Sequence, residues 1–235
     1  MLAKIARPLG EFFLSGALFF KLKSFNWNEA RYMRRTYPEF SAIEGAFKKA
    51  YRFRNPFKIC KNHLIRQGET CVDAYGETPL PLYAKIAEEL SISKEDQFLE
   101  LGCGRGRGVL FMHHLTGCSS IGVDWVPFFI TTATTLVKRM IPSAPVHFLC
   151  EKMQTADFSK ASIIYLYGTC LEEEEIEGLV RRFETLSLST RIVTVSFPLS
   201  EYSSQFSTLK QFTGKFPWGE GEIYLNVSQQ KKREF

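Results

Sequence analysis

Apolar positions recur at helical spacing in the first third of the chain and change period near residue 70. From 27 to 54 the pattern is helical, with aromatic and basic residues interleaved (Trp27, Tyr32, Arg34, Arg35, Phe40, Phe47, Tyr51, Arg52), and Asn55-Pro56 breaks it. Beyond 70, short apolar runs alternate with amphipathic stretches. Residues 79–90 place Leu82, Ile86, Ala87 and Leu90 on one helical face. Strands are expected at 97–101, 119–123, 146–149, 162–167 and 191–197, with helices at 107–115 and about 128–139. Thr169 precedes Glu172 by three positions, the spacing of a capping box for a helix running to about 185. Glu172 to Glu175 then fall in a first turn, where the helix dipole favours acids, so they read as a solvated helix start rather than as catalytic carboxylates. Residues 205–227 read as two more strands joined near Thr213-Gly214, with no helix between them. The expected fold is α/β and Rossmann-like. It is a seven-stranded, largely parallel sheet with helices on both faces and an antiparallel hairpin at one edge.

Charge divides the chain in the same place. Residues 1–70 hold 14 Lys/Arg against 5 Asp/Glu, and the remainder holds 16 against 20. The expected organisation is therefore a basic, helical extension over 1–70 and an α/β domain over 71–235. A basic extension on a mildly acidic body fits a polyanion or an anionic membrane surface as neighbour, and equally a solvated helical face. Residues 9–20 are apolar, but twelve residues of helix span only about 18 Å, too short for a bilayer core of roughly 30 Å. Lys4 and Arg7 precede this stretch, Lys21 and Lys23 follow it, and no small-residue cleavage site is present, which disfavours a signal peptide. A helix packed on the domain and an interfacial helix, giving peripheral membrane contact, stay open. The six cysteines form no C-x-x-C pair and no metal-ligand spacing with the four histidines, so no metal is expected and a reducing, cytoplasmic compartment fits.

Chemistry concentrates in F-L-E-L-G-C-G-R-G-R-G-V-L-F at 98–111, a glycine loop between a strand and its helix. Gly102, Gly104 and Gly106 would let the backbone approach a ligand closely. Arg107 stands where a dinucleotide fingerprint requires glycine, and the G-K-[ST] of a phosphate-binding loop is absent. Glu100, two residues before the first glycine, suits a cation better than a pyrophosphate. Asp124 ends the second strand, where a carboxylate can accept both hydroxyls of a ribose.

With these features in this order, the sequence resembles the class I S-adenosylmethionine-dependent methyltransferases over roughly residues 73–227. The resemblance implies S-adenosyl-L-methionine as cofactor, with Glu100, Gly102, Gly104, Gly106 and Asp124 in the first motif and at the ribose. It further implies Trp125 beside that acid, Glu151, Lys152 and Met153 around the adenine, and Tyr167 at the end of strand four near the reacting methyl. Upstream, Ala74-Tyr75-Gly76-Glu77-Thr78-Pro79 resembles the loop preceding the cofactor motif in the disruptor-of-telomeric-silencing family, the histone lysine methyltransferases without a SET domain. That resemblance implies that Tyr75, Glu77 and Thr78 cover the cofactor, Thr78 at its methionine part. Where that family carries a paired asparagine followed by Phe-Ala-Phe, this chain has Tyr167-Gly168-Thr169-Cys170-Leu171, so the acceptor side departs from it.

A lysine nucleophile must be neutral, which a poorly solvated aromatic channel favours. Tyr75, Tyr165, Tyr167, Phe197 and Trp218 are candidate walls. Tyr167 comes first as the catalytic-site residue, with Tyr75 beside it. Tyr165 and Tyr167 should share one face of their strand, and Trp218, in K-F-P-W-G-E, reads as ordinary packing. The leading expectation is methylation of a protein side chain, lysine before others. Alternatives are RNA or small-molecule methylation, with the basic 1–70 segment gripping nucleic acid, and a catalytically lapsed binding protein docked to a membrane.

Overall fold

Five of the apolar runs pair side by side and in parallel, as strands buried on both faces do. They are β1 (Gln97–Leu101), β2 (Ser119–Asp124), β3 (Val146–Cys150), β4 (Ile163–Leu166) and β5 (Arg191–Val195). Two longer strands, β6 (Phe206–Phe216) and β7 (Gly219–Ser228), form an antiparallel hairpin, and β7 pairs antiparallel with β5. The sheet order is β3-β2-β1-β4-β5-β7-β6, the expected seven-stranded sheet with its hairpin at one edge. The computed structural model describes residues 16–229, with side chains from 21 onward.

Strand order reverses between β1 and β4, and ligands of open α/β sheets bind beyond the carboxyl ends of the strands at such a point. Alternation sorts the two faces. Phe98, Tyr165, Val193 and Val195 join one cluster with α4 (Leu80–Glu89), α5 (Arg107–Thr116) and α6 (Pro127–Met140). Leu99, Leu101, Ile164, Leu166 and Ile192 join the other with α7 (Glu173–Phe183). The first cluster also takes in Met33, Phe40, Ile43, Phe47, Tyr51 and Cys60. These belong to or adjoin three N-terminal helices, α1 (Gly16–Thr36), α2 (Ser41–Ala50) and α3 (Pro56–Arg66). The boundary expected at 70/71 falls in the segment between α3 and α4, which has no helix or strand and is called the strap below.

Three local expectations are corrected. Asn55-Pro56 starts a helix rather than ending one: the Asn55 side chain accepts from the Phe57 and Lys58 amides, and Pro56 takes the first turn, where a missing N–H costs nothing. The box that opens α7 is Glu172 with Glu175, whose side chain accepts from the Glu172 amide at 3.1 Å, so Thr169 lies outside the helix. The hairpin turns at Pro217-Trp218, while Thr213 and Gly214 pair with Glu222 and Gly221 inside the ladder. Gly214 serves packing: a Cβ there would stand 2.9 Å from both Ile223 and Leu82.

Candidate active site

The glycine loop leaves β1 at the switch point. Gly104 and Gly106 adopt φ of 54° and 79°, the left-handed region that side chains disfavour. Asp124, at the end of β2, fixes this loop: its Oδ2 accepts from the Gly104 amide and its Oδ1 from the Val126 amide, both at 2.8 Å. Each oxygen keeps a further lone pair. Burial pushes the Asp124 carboxyl up to about 6, and the Val126 and Gly104 amides oppose that rise.

Beyond the loop lies a cavity of about 220 Å³. Gly102, Gly104, Asp124, Trp125, Lys152, Met153, Tyr75 and Tyr167 line it, so most of the residues expected at the cofactor meet there. The Lys152 ammonium sits 3.7 Å from the Trp125 ring centroid and pairs with Glu69 of the strap at 3.1 Å. Glu151 is not among the lining residues, whereas Cys60 and Leu64 of α3 are, although nothing in the local sequence signals them. Gly106 lies just behind the lining, where a Cβ would stand 2.5 Å from the Phe148 ring.

An adjoining small cleft is lined by Gly76, Glu77, Thr78, Tyr83, Glu100, Gly102, Cys103, Arg107 and Tyr167. Here Glu100 accepts from the Tyr83 hydroxyl at 2.6 Å through Oε1, while its buried Oε2 has no partner. Burial pushes Glu100 up to about 8; the Tyr83 hydrogen bond opposes this, and the charges of Glu77 and Asp124 add to it. An orphaned buried carboxylate oxygen beside a glycine loop that leaves no room for a Cβ suits a cationic group. These acceptors therefore fit S-adenosylmethionine: Glu100 would face its positive end and Asp124 its ribose. Residues 74–76 of the strap line this cavity and residues 76–78 line the cleft, so the strap forms one wall of both.

The strap carries the tyrosine and threonine singled out from the sequence. The Tyr75 hydroxyl donates to Glu77, and its ring covers Gly104, where a Cβ would lie 3.3 Å away. Thr78 shares a 2.5 Å hydrogen bond with Tyr165, so Tyr165, fully buried, ties β4 to the strap instead of walling a channel. Tyr165 and Tyr167 do face the same layer. Phe197 lies in the opposite cluster, against Gly168 and Tyr202, because Ser196 has a φ of 75° and ends the strand's alternation.

Trp218 corrects the reading of ordinary packing. It is 44% exposed, and its indole N–H donates to the Tyr167 hydroxyl at 2.7 Å. Tyr167 stacks on Phe216 (5.5 Å, 13°), and Phe216 on Trp218 (5.0 Å, 11°). The usable signal was Gly221, since a Cβ there would come within 2.6 Å of the indole. Among the described residues no cluster of His, Cys, Asp and Glu could hold a metal ion, and no helix is long and apolar enough to cross a membrane. The stretch 9–20 lies outside the residues whose side chains are described.

Comparison with known proteins agrees with this geometry. The family model of the histone methylation protein DOT1 matches residues 61–166, less than half of the chain but including the strap, the glycine loop and β4. No curated protein sequence matches. Among solved structures, an RNA methyltransferase from Salinibacter ruber in complex with S-adenosyl-L-homocysteine is 21% identical at a TM-score of 0.56, over 68% of this chain and 98% of that one. TrmN from Thermus thermophilus is 11% identical at 0.58, over 66% and 50%. Geranyl diphosphate C-methyltransferase from Streptomyces coelicolor is 10% identical at 0.52, over 68% and 78%. At these identities the likeness establishes the fold.

Proposed function

We propose that this class I, S-adenosylmethionine-dependent methyltransferase transfers its methyl group to an amine on a protein, a lysine side chain before others. The observation that carries the reading is the Tyr167–Phe216–Trp218 stack beside the cofactor cavity. When bound, S-adenosylmethionine supplies an electrophilic methyl on a sulfonium. The residues around it align and exclude water rather than form bonds. Glu100 and Asp124 hold the two ends, and the strap closes over them. The aromatic stack presents a weakly solvating wall that favours the neutral amine over the ammonium, as the nucleophile requires. Burial raises the Tyr167 phenol above its usual range, so it stays protonated through the working pH.

The DOT1 match over the strap and loop supports a protein acceptor. Tyr167-Gly168-Thr169-Cys170-Leu171 in place of the asparagine and Phe-Ala-Phe of that family argues for a target other than the usual histone site. A reducing, cytoplasmic setting belongs to the same proposal, and all six cysteines are free. A second reading, RNA as acceptor, has its own observation. Phe53, 90% exposed, stands between exposed Arg52 and Arg54, with exposed Lys48, Lys49 and Lys58 nearby in sequence. Phe57 meets the Tyr75 ring edge-on at 5.0 Å, so this basic, aromatic face borders the cavity. The Salinibacter neighbour, described as an RNA methyltransferase, points the same way.

Transfer of tritiated methyl from the cofactor into whole-cell lysate separates the two readings. Label in a protein band that survives nuclease is expected; label confined to nuclease-sensitive material would move the acceptor to RNA. Trp218→Ala should raise the acceptor KM about tenfold while S-adenosylhomocysteine affinity stays within about twofold. A cofactor defect of equal size would place Trp218 in the cofactor site instead.

Proton linkage gives a second expectation. Glu100, up to about 8 in the free protein, is mostly protonated at pH 7. A cation beside its Oε2 favours the carboxylate, so binding should release close to one proton and affinity should rise from pH 6 to 8. Calorimetry in buffers of different ionisation enthalpy measures the release. Glu100→Gln should abolish it, and release that persisted in this variant would assign the proton elsewhere.

A further inference from the structure

Arg107 occupies the first position of α5, where its guanidinium gathers carboxylates from separate parts of the chain. Its Nε and Nη2 meet both oxygens of Glu44, on α2, at 2.9 and 3.1 Å. Its Nη1 meets Glu77, in the strap, at 3.1 Å, and Nη2 also reaches Glu29, on α1, at 3.4 Å. All four side chains are at least three-quarters buried. Glu29 accepts in addition from the Leu80 amide at 3.1 Å, at the point where the strap enters α4.

Glu77 is the strap's anchor. Arg105, in the glycine loop, grips both its oxygens, and the Tyr75 hydroxyl donates to it. Burial alone would favour the neutral acid, but the hydrogen bonds and charges of Arg105 and the charge of Arg107 hold its carboxyl at about 2. The residues beside this anchor face the cofactor. Tyr75 covers Gly104, and Gly76 abuts Tyr167, where a Cβ would lie 2.9 Å away. One arginine thus joins two N-terminal helices to the segment that walls the cofactor cavity.

We propose that Glu44 and Glu29 are positioning residues for the cofactor site, acting through Arg107 on Glu77 and hence on the strap. The N-terminal helices then set how tightly the strap closes, although the described side chains of α1 and α2 do not line the cavity. The proposal rests on the cofactor assignment above. Its physical basis is that a bidentate pair fixes a guanidinium in one plane. Arg107 held by Glu44 offers Glu77 a fixed donor, whereas Arg107 without it can rotate and leave Glu77 to Arg105 and the Tyr75 hydroxyl.

Two measurements on the full chain test this. Glu44→Met should weaken S-adenosylhomocysteine binding about tenfold and speed amide hydrogen exchange across residues 72–79 in the protein without ligand. Because this variant also leaves a buried arginine less compensated, Glu44→Met/Arg107→Met provides the control. Replacing a buried ion pair by apolar side chains of similar length is often neutral for stability. That holds for the Glu44–Arg107 pair alone; Glu29 loses its cation and Glu77 one of two, so the double variant should melt below the parent, and it should keep the weak binding and the fast exchange. Binding and exchange restored to parental values in the double variant would show a merely structural pair and overturn the proposal. Should the parent itself fail to bind S-adenosylhomocysteine, the cofactor assignment falls; the exchange result still decides whether Arg107 orders the strap.

Discussion

Asp124→Ala should weaken S-adenosylmethionine binding by about 1.5–3 kcal/mol, the range for hydrogen bonds to a charged group. That is roughly a 10- to 150-fold rise in Kd. Both carboxylate oxygens already accept a loop amide at 2.8 Å, and Asp124 lines the cavity. The substitution removes the ribose acceptor and unpins the Gly104 amide together. With the carboxyl at about 6, its ionised fraction falls as pH drops below that value, so parental affinity should decline from pH 7 to pH 5. Asp124→Asn keeps one acceptor but presents a donor to one of the two amides, so it should fall between parent and Ala. Titration calorimetry gives all three numbers. Unchanged affinity for the Ala variant would sink the ribose assignment.

Gly108→Ala should cost stability on the order of 3 kcal/mol, the upper part of the range for overpacking a full core. A Cβ at this position would stand 2.2 Å from the Tyr83 ring, 2.3 Å from its hydroxyl and 2.8 Å from Glu100 Oε2. Tyr83 is fully buried and bonded to Glu100, so it has nowhere to retreat. A fall in Tm of roughly 6–12 °C follows for a chain of this size. Gly45→Ala in α2 is the control: nothing lies within 4 Å of its added Cβ, and alanine should stabilise the helix by about 0.5–1 kcal/mol. If Gly108→Ala melts within a few tenths of a degree of the parent, the wall between α4 and α5 is softer than this packing implies. Cofactor affinity read in the same variant reports on the cleft, because the displaced atoms include the Glu100 carboxylate.

The two substitutions probe different levels of the same site. Asp124 acts through hydrogen bonds made at the end of one strand. Gly108 acts by having no side chain where α4, α5 and β1 converge. Both lie within the 61–166 segment that matches the DOT1 family model. The proposed acceptor wall lies largely beyond that segment, in the edge hairpin, and stands on the aromatic stack.

The sheet was legible because its determinants are local. Ile163-Ile164-Tyr165-Leu166 is apolar over the length of a strand, Phe98-Leu99-Glu100-Leu101 is broken only by the site acid, and the segments between them carry helical periodicity. The cofactor loop was legible for a related reason: its chemistry is backbone chemistry, written as glycines at fixed offsets with an acid on either side. Where turn chemistry was ambiguous, the sequence misled. Thr213-Gly214 resembles a turn, yet that glycine makes room for Leu82 and Ile223, and the chain reverses at Pro217-Trp218 instead.

What only the tertiary structure decided are pairings between residues far apart in the chain. Trp218 reaches Tyr167 across the edge hairpin. Glu29 and Glu44 reach Arg107 from helices that the charge pattern marked only as a basic surface. A carboxylate's partner is fixed by where packed elements bring it, and helical or strand period carries no record of that. The sequence by itself determined the fold class and the cofactor loop, since both follow from period and from residue types a few positions apart. Which side chains gather around Tyr167, and which ones tie the strap to the N-terminal helices, came from the packing of helices onto both faces of the sheet, in two apolar clusters.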